Sequence, residues 1–112
     1  MITGREKIYS AEEQIQFFKN WKYNGCKRSY NKLISSNVRA VMKEAHRVAK
    51  FNQNLDIEDL IQEGLLGLVT AAEKFDEKEN VNFLTYAMQW IRQKIRRFVT
   101  SNRSIVRPGT TE

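Results

Sequence analysis

The chain has one cysteine, one proline, one histidine and only five glycines in 112 residues. Lone Cys26 excludes an internal disulfide, which suits a reducing cytoplasm. It stands beside Gly25, Lys27 and Arg28 in a stretch read as a loop, and with His46 it makes no metal-ligand spacing. Scarce proline and glycine argue against an all-β fold, and no alternating strand pattern, internal repeat or low-complexity stretch occurs. Hydrophobic runs of membrane-spanning length and a signal peptide are both missing. No Ser/His/Asp set, glycine-rich phosphate loop or pair of carboxylates stands out. Neither catalysis nor a metal or cofactor site is therefore expected.

Acids are missing from one long stretch. Residues 81–111 hold six Lys/Arg and no Asp or Glu, and residues 1–50 hold eleven Lys/Arg and four Glu. Between them, residues 56–79 carry eight Asp/Glu and two Lys. The net charge is +6. A basic balance suggests a polyanion, either nucleic acid or a membrane surface. An acidic block between two basic ones suggests two kinds of partner surface. The plainer alternative is that each block is a solvated helix face.

What is present reads as helix. Ser10 is a candidate N-cap with Glu12 and Glu13 in the first turn, and Ile15, Phe17, Phe18 and Trp21 follow at helical spacing to Asn24-Gly25. A longer helix is expected from about Ser29 to Phe51, with Tyr30, Leu33, Ile34, Val38, Val41, Met42, Ala45 and Val48 recurring at three and four. Arg39, Lys43, Arg47 and Lys50 line another side of it. Asp56 can cap a third helix whose buried face is Ile57, Leu60, Ile61, Leu65, Leu68, Val69 and Ala72. Gly64 and Gly67 inside it each cost about 1 kcal/mol relative to alanine, and mark close approach of a neighbouring helix or of a partner. Phe75 is expected to fold back onto the core ahead of a polar connector.

The fourth helix, capped by Asn80 or Asn82, runs to about Thr100–Asn102 and has two faces. Leu84, Met88, Ile91 and Ile95 fall on one side as a core stripe. Tyr86, Trp90, Gln93 and Arg97 fall on the other, within a stripe roughly 60° wide. Two rings, an amide and a guanidinium suit the gripping of unstacked bases and their backbone. Residues 104–109 are expected to be extended, with Pro108 and Gly109 stopping regular structure. The expected architecture is all-α, a compact bundle of about four helices at 10–109, with a frayed arm at 1–9 and a tail at 110–112.

The run Asp59-Leu60-Ile61-Gln62-Glu63-Gly64-Leu65-Leu66-Gly67-Leu68, then Ala72-Glu73-Lys74-Phe75, Phe83-Leu84-Thr85-Tyr86-Ala87 and Trp90-Ile91-Arg92-Gln93, resembles the second conserved region of bacterial sigma factors of the housekeeping and heat-shock type. The stretch 33–41 looks like the family's preceding helix. The closing 102–107 looks like its exit, closest to the heat-shock branch. The resemblance covers about residues 10 to 109. It implies a sigma-type helical bundle that binds core RNA polymerase and opens promoter DNA at the −10 element.

Residue by residue, the resemblance implies that Tyr86 stacks on the flipped-out adenine of the nontemplate strand. Trp90 matches the second of two tryptophans at the upstream fork of the bubble, and Gln89 stands where the first would be. Gln93 matches the glutamine that reads the most upstream base pair. Arg92 and Arg97 match backbone-contacting arginines, and Arg96 replaces a smaller residue used in promoter discrimination. Asn37 and Arg39 match the helix that helps pocket the downstream flipped base, where Leu84 replaces a serine. Phe83 reads as core or as a wall of that pocket. Arg103 and Arg107 extend the basic face. On the acidic helix, Asp59, Gln62 and Glu63, with Leu65 and Val69, match the surface that packs on a coiled-coil of the polymerase's largest subunit.

The family's later domains, which reach the −35 element and the active site, have no room here. The chain is thus read as a part of a larger factor or as a minimal one of the kind some phages use. The expectation is a cytoplasmic, non-enzymatic promoter-recognition domain without an obligate homo-oligomer. Two rivals are a sigma-like regulator that holds polymerase without reading DNA, and a general single-strand binder.

Overall fold

A computed structural model describes residues 9–106, with side chains described as far as Asn102. Among these described residues five helices follow in chain order: α1 (Ala11–Asn24), α2 (Lys27–Ser35), α3 (Val38–Ala49), α4 (Ile57–Lys74) and α5 (Phe83–Val106). The all-α expectation holds, and no strand occurs among the described residues.

Local chemistry sets most helix ends. Ser10 and Glu13 close a reciprocal capping box: Glu13 N–H donates to Ser10 Oγ at 3.1 Å and Ser10 N–H to Glu13 Oε1 at 2.8 Å. α1 stops at Gly25, whose φ of 67° is left-handed. Its N–H donates to the Trp21 carbonyl and that of Cys26 to the Asn20 carbonyl, the pair of hydrogen bonds that closes a glycine-terminated helix. Tyr9, read as the end of a frayed arm, packs edge-on against Phe17 with centroids 4.8 Å apart. Asp56 caps α4 by accepting from Glu58 N–H at 3.0 Å.

The single helix expected over 29–51 is broken at Ser36-Asn37. Asn37 Nδ2 donates to the Leu33 carbonyl at 2.9 Å and to Gln14 Oε1 at 2.8 Å, and Ser36 Oγ donates to the same Leu33 carbonyl. Short polar side chains compete here with the backbone ladder. The apolar spacing passes through the break unaltered, so the sequence pattern hides it.

α5 extends beyond the expected end. Residues 104–106, read as extended, are helical, and Asn102 Nδ2 donates back to the Phe98 carbonyl at 2.9 Å. Pro108 and Gly109 lie outside the described residues.

The core joins Phe18, Leu33, Val41, Ala45, Leu60, Leu68, Phe75, Phe83, Ala87, Ile91 and Ile95. Phe75 folds back as expected, edge-on to Phe18 at 5.0 Å and to Phe83 at 5.4 Å. Burying each such ring stabilises the fold by roughly 1.5–3 kcal/mol. The buried stripe of α5 is Phe83, Ala87, Ile91, Ile95 and Val99. Leu84 and Met88, expected within it, are half-buried flanks. Both glycines of α4 face neighbouring helices. A β-carbon on Gly64 would lie 2.6 Å from Val41 Cγ1, and one on Gly67 would lie 2.6 Å from the Trp90 carbonyl oxygen.

Candidate nucleic-acid interface

Close packing of α5 on α4 turns one long side of α5 outward. There an open groove of about 570 Å³ is lined by Tyr86, Gln89, Trp90, Arg92, Gln93 and Arg96. It gathers two rings, two amides and two guanidiniums. Such groups offer stacking surface, base-edge hydrogen bonds and phosphate contacts together.

Neither ring is a free flag. Tyr86 is half-buried, tilted against Phe75 at 5.3 Å, and its hydroxyl donates to the Lys74 carbonyl at 3.3 Å. Trp90 is also half-buried, with Lys74 Nζ 5.9 Å from its ring centroid. The end of α4 thus steadies both aromatics. Lys74 was missed by the sequence reading. Its signal was its place beside Phe75, the residue expected to fold back.

Not every expected residue joins the groove. Arg97 lines a separate cleft of about 290 Å³ with Glu63, Lys94, Phe98 and Ser101. The stripe of Tyr86, Trp90, Gln93 and Arg97 therefore divides at its last member. Phe83 is 1% exposed, edge-on to Phe75, which in turn packs against Tyr86. Asn37 is 2% exposed, its amide spent on Gln14 and Leu33. The structure places it at the helix break, away from the α5 groove lining. Arg39 is exposed on α3, where it lines a shallow groove with Met42, Lys43, His46, Arg47 and Lys50. The Arg103 side chain and Arg107 lie outside the described residues.

A buried acid links these basic surfaces. Glu44 of α3 is 6% exposed and pairs with Arg47 through Nη2 and with Arg92 through Nε at 3.6 Å. The hydrogen bond from Arg47, the charge of that arginine and the charge of Arg92 hold its carboxyl below the usual range, against the opposing effect of burial. The sequence did offer a signal. Glu44 is the single acid between Glu13 and Asp56, and it falls on the apolar spacing of Val41, Ala45 and Val48.

The outer side of α4 is different in character. Asp59 and Gln62 are exposed, while Glu63, Leu65 and Val69 are half-buried. Leu65 packs on the core from its flank. Leu66, absent from the expected set, is 55% exposed among these polar residues. An apolar residue off the buried stripe of its own helix was the available signal. No helix of the described residues is long and apolar enough to cross a membrane.

The family model for sigma-70 region 2 matches residues 33–105. The chain is 40% identical over 102 residues to RNA polymerase sigma factor SigA of Microcystis aeruginosa, covering 91% of this chain and 24% of that protein. It is 38% identical over 105 residues to sigma factor SigA1 of Synechococcus elongatus, covering 94% and 26% respectively. With SigA of a Nostoc species it shares 43% over 81 residues, 72% of this chain and 20% of the relative. The chain spans about a quarter of the length of the curated relatives it matches.

Proposed function

The chain belongs to the sigma-70 family through its region 2, and on that premise we propose that it acts as a promoter-recognition module in transcription initiation. It binds core RNA polymerase through the outer side of α4 and engages a melted −10-like element through the α5 groove. It is a specificity factor rather than an enzyme, and works in the cytoplasm where polymerase works.

The observation that carries this reading is the α5 groove, where Tyr86 and Trp90 sit beside Gln89, Gln93, Arg92 and Arg96. Flipping a base out of a duplex costs a few kcal/mol. Each aromatic platform returns roughly 1–3 kcal/mol, and phosphate contacts from an acid-free helix add salt-dependent affinity. Because α4 steadies both rings, less of that return is lost to ordering them. Gln89 has no indole to stack, so the upstream fork rests on Trp90 alone. On α4, a rim of Asp59, Gln62 and Glu63 around exposed Leu66 suits a partner helix that is basic at its edges and apolar at its centre.

The test uses core polymerase and a premelted promoter fork. Tyr86→Phe keeps the ring and is expected to open the fork as the native chain does. Tyr86→Ala is expected to bind polymerase normally but to lose fork binding about tenfold or more, the lower part of the range for one stacked base. Equal fork binding by both variants overturns the base-capture reading and leaves the polymerase-holding regulator. Fork binding without any association with polymerase leaves the general single-strand binder.

A further inference from the structure

Resting on the reading of Arg92 as a backbone contact, we propose that Glu44 is a positioning residue for the DNA interface, holding the Arg92 guanidinium by its Nε so that the two Nη groups are set in advance for a phosphate.

The placement of the carboxylate argues for this role. Glu44 sits on α3 between core residues Val41 and Ala45, yet the outward side of the same helix is basic. A buried carboxylate is costly unless paired. Arg47, three residues on, already pairs with it. The second arginine comes from a different helix, so the pair with Arg92 ties the outer side of α5 to α3. Glu44, Arg47, Arg92 and Arg96 ring a cavity of about 180 Å³ floored by Val48, Ile95 and Val99. Arg92 and Arg96 line both this cavity and the groove of Tyr86 and Trp90. The carboxylate also offsets the mutual repulsion of arginines crowded at that rim.

Arginine side chains are long and carry large rotamer freedom. A contact made by a side chain already held in place loses less freedom on binding. The same carboxylate subtracts one positive charge from a surface that attracts a polyanion. Its two effects on DNA affinity therefore have opposite signs, and this separates them.

The experiment titrates a single-stranded oligodeoxynucleotide bearing TATAAT into the 112-residue chain, read by fluorescence anisotropy at several salt concentrations. Glu44→Gln raises the net charge by one; Glu44→Asp keeps the charge and shortens the reach. If Glu44 positions Arg92, both variants keep the helical circular-dichroism signal and bind about fivefold or more weakly. The Glu44→Asp salt slope becomes shallower by about 0.7, the value of one lost single-strand phosphate contact. Neither variant weakens binding further in an Arg92→Ala background. If Arg92→Ala alone weakens binding but both Glu44 variants bind as well as or better than the native chain, the arginine contact stands and the positioning role is overturned. If Arg92→Ala has no effect, the backbone-contact reading fails and the inference fails with it.

Discussion

Gly67 and Trp90 meet without room for a methyl group between them. A β-carbon on Gly67 would stand 2.6 Å from the Trp90 carbonyl oxygen and 2.8 Å from Ile91 Cα. The atoms in the way are backbone and cannot rotate aside. This close backbone approach of α4 to α5 thus lies at the residue that carries one of the two rings proposed to hold DNA.

Gly67→Ala is accordingly expected to destabilise the fold by about 2 kcal/mol, since overpacking outweighs the gain in helix propensity. Gly64→Ala is expected to cost less, because the obstructing atom there is the Val41 side chain. Thermal unfolding followed by circular dichroism ranks the two. Equal melting temperatures for native chain and Gly67→Ala would contradict the packing argument.

Arg96 and Arg97 are neighbours in sequence but line different clefts. Replacing Arg96 by alanine should weaken binding to a −10-like single strand and flatten its salt dependence by about 0.7 in slope. Arg97→Ala should change the slope by less than half as much. Affinity measured across a salt series decides, and the reverse ranking would move the strand to the α4 side of α5.

Leu66 is apolar, 55% exposed and surrounded by the proposed polymerase contacts. Leu66→Ala is expected to alter unfolding free energy by less than about 0.5 kcal/mol, as surface changes do. Its affinity for core polymerase should fall about tenfold, the scale of one buried leucine side chain. Pull-down or calorimetry against purified core enzyme checks the second half, and thermal unfolding checks the first.

The Glu44 carboxyl predicts an acid-side loss of stability. Its folded value lies below the ordinary one, chiefly through the hydrogen bond from Arg47. A group with a depressed folded pKa stabilises the fold above its unfolded value, about 4.3 for glutamate. That contribution fades as pH falls through the lower folded value. The melting-temperature gap between native chain and Glu44→Gln should therefore be constant from neutral pH to about 5 and narrow below about 4. A gap that widens toward acid would contradict the ion-pair assignment.

Several features were legible in the chain alone because their causes are local. Ser10 and Glu13, three apart, form a capping box by reaching each other's backbone, and Gly25 ends α1 because a left-handed turn carries no penalty there. Asp56 caps α4 for the same kind of reason. The spacing of apolar residues made the class all-α, and the Asp59–Gly64 run with Tyr86, Trp90 and Gln93 carried the family. None of these needs knowledge of what lies across the molecule.

Only tertiary packing decided the rest. At the Ser36-Asn37 break the local bonds to the Leu33 carbonyl are joined by one that no local pattern shows, from the Asn37 amide to Gln14, far away in sequence. α5 buries Phe83 and Ala87, leaves Leu84 and Met88 at the edge, and brings its backbone against Gly67 at Trp90 and Ile91. Arg97 shares the azimuth of Tyr86 but lies about three turns further along α5, where Glu63 of α4 helps line its cleft, whereas Arg96 lines the groove. Glu44 looked like one acid in a basic stretch. Its meaning came from α5, which brought Arg92 within 3.6 Å. Short-range hydrogen bonds and periodicity are written residue by residue, whereas the facing of a helix is set by the volumes it must fit between.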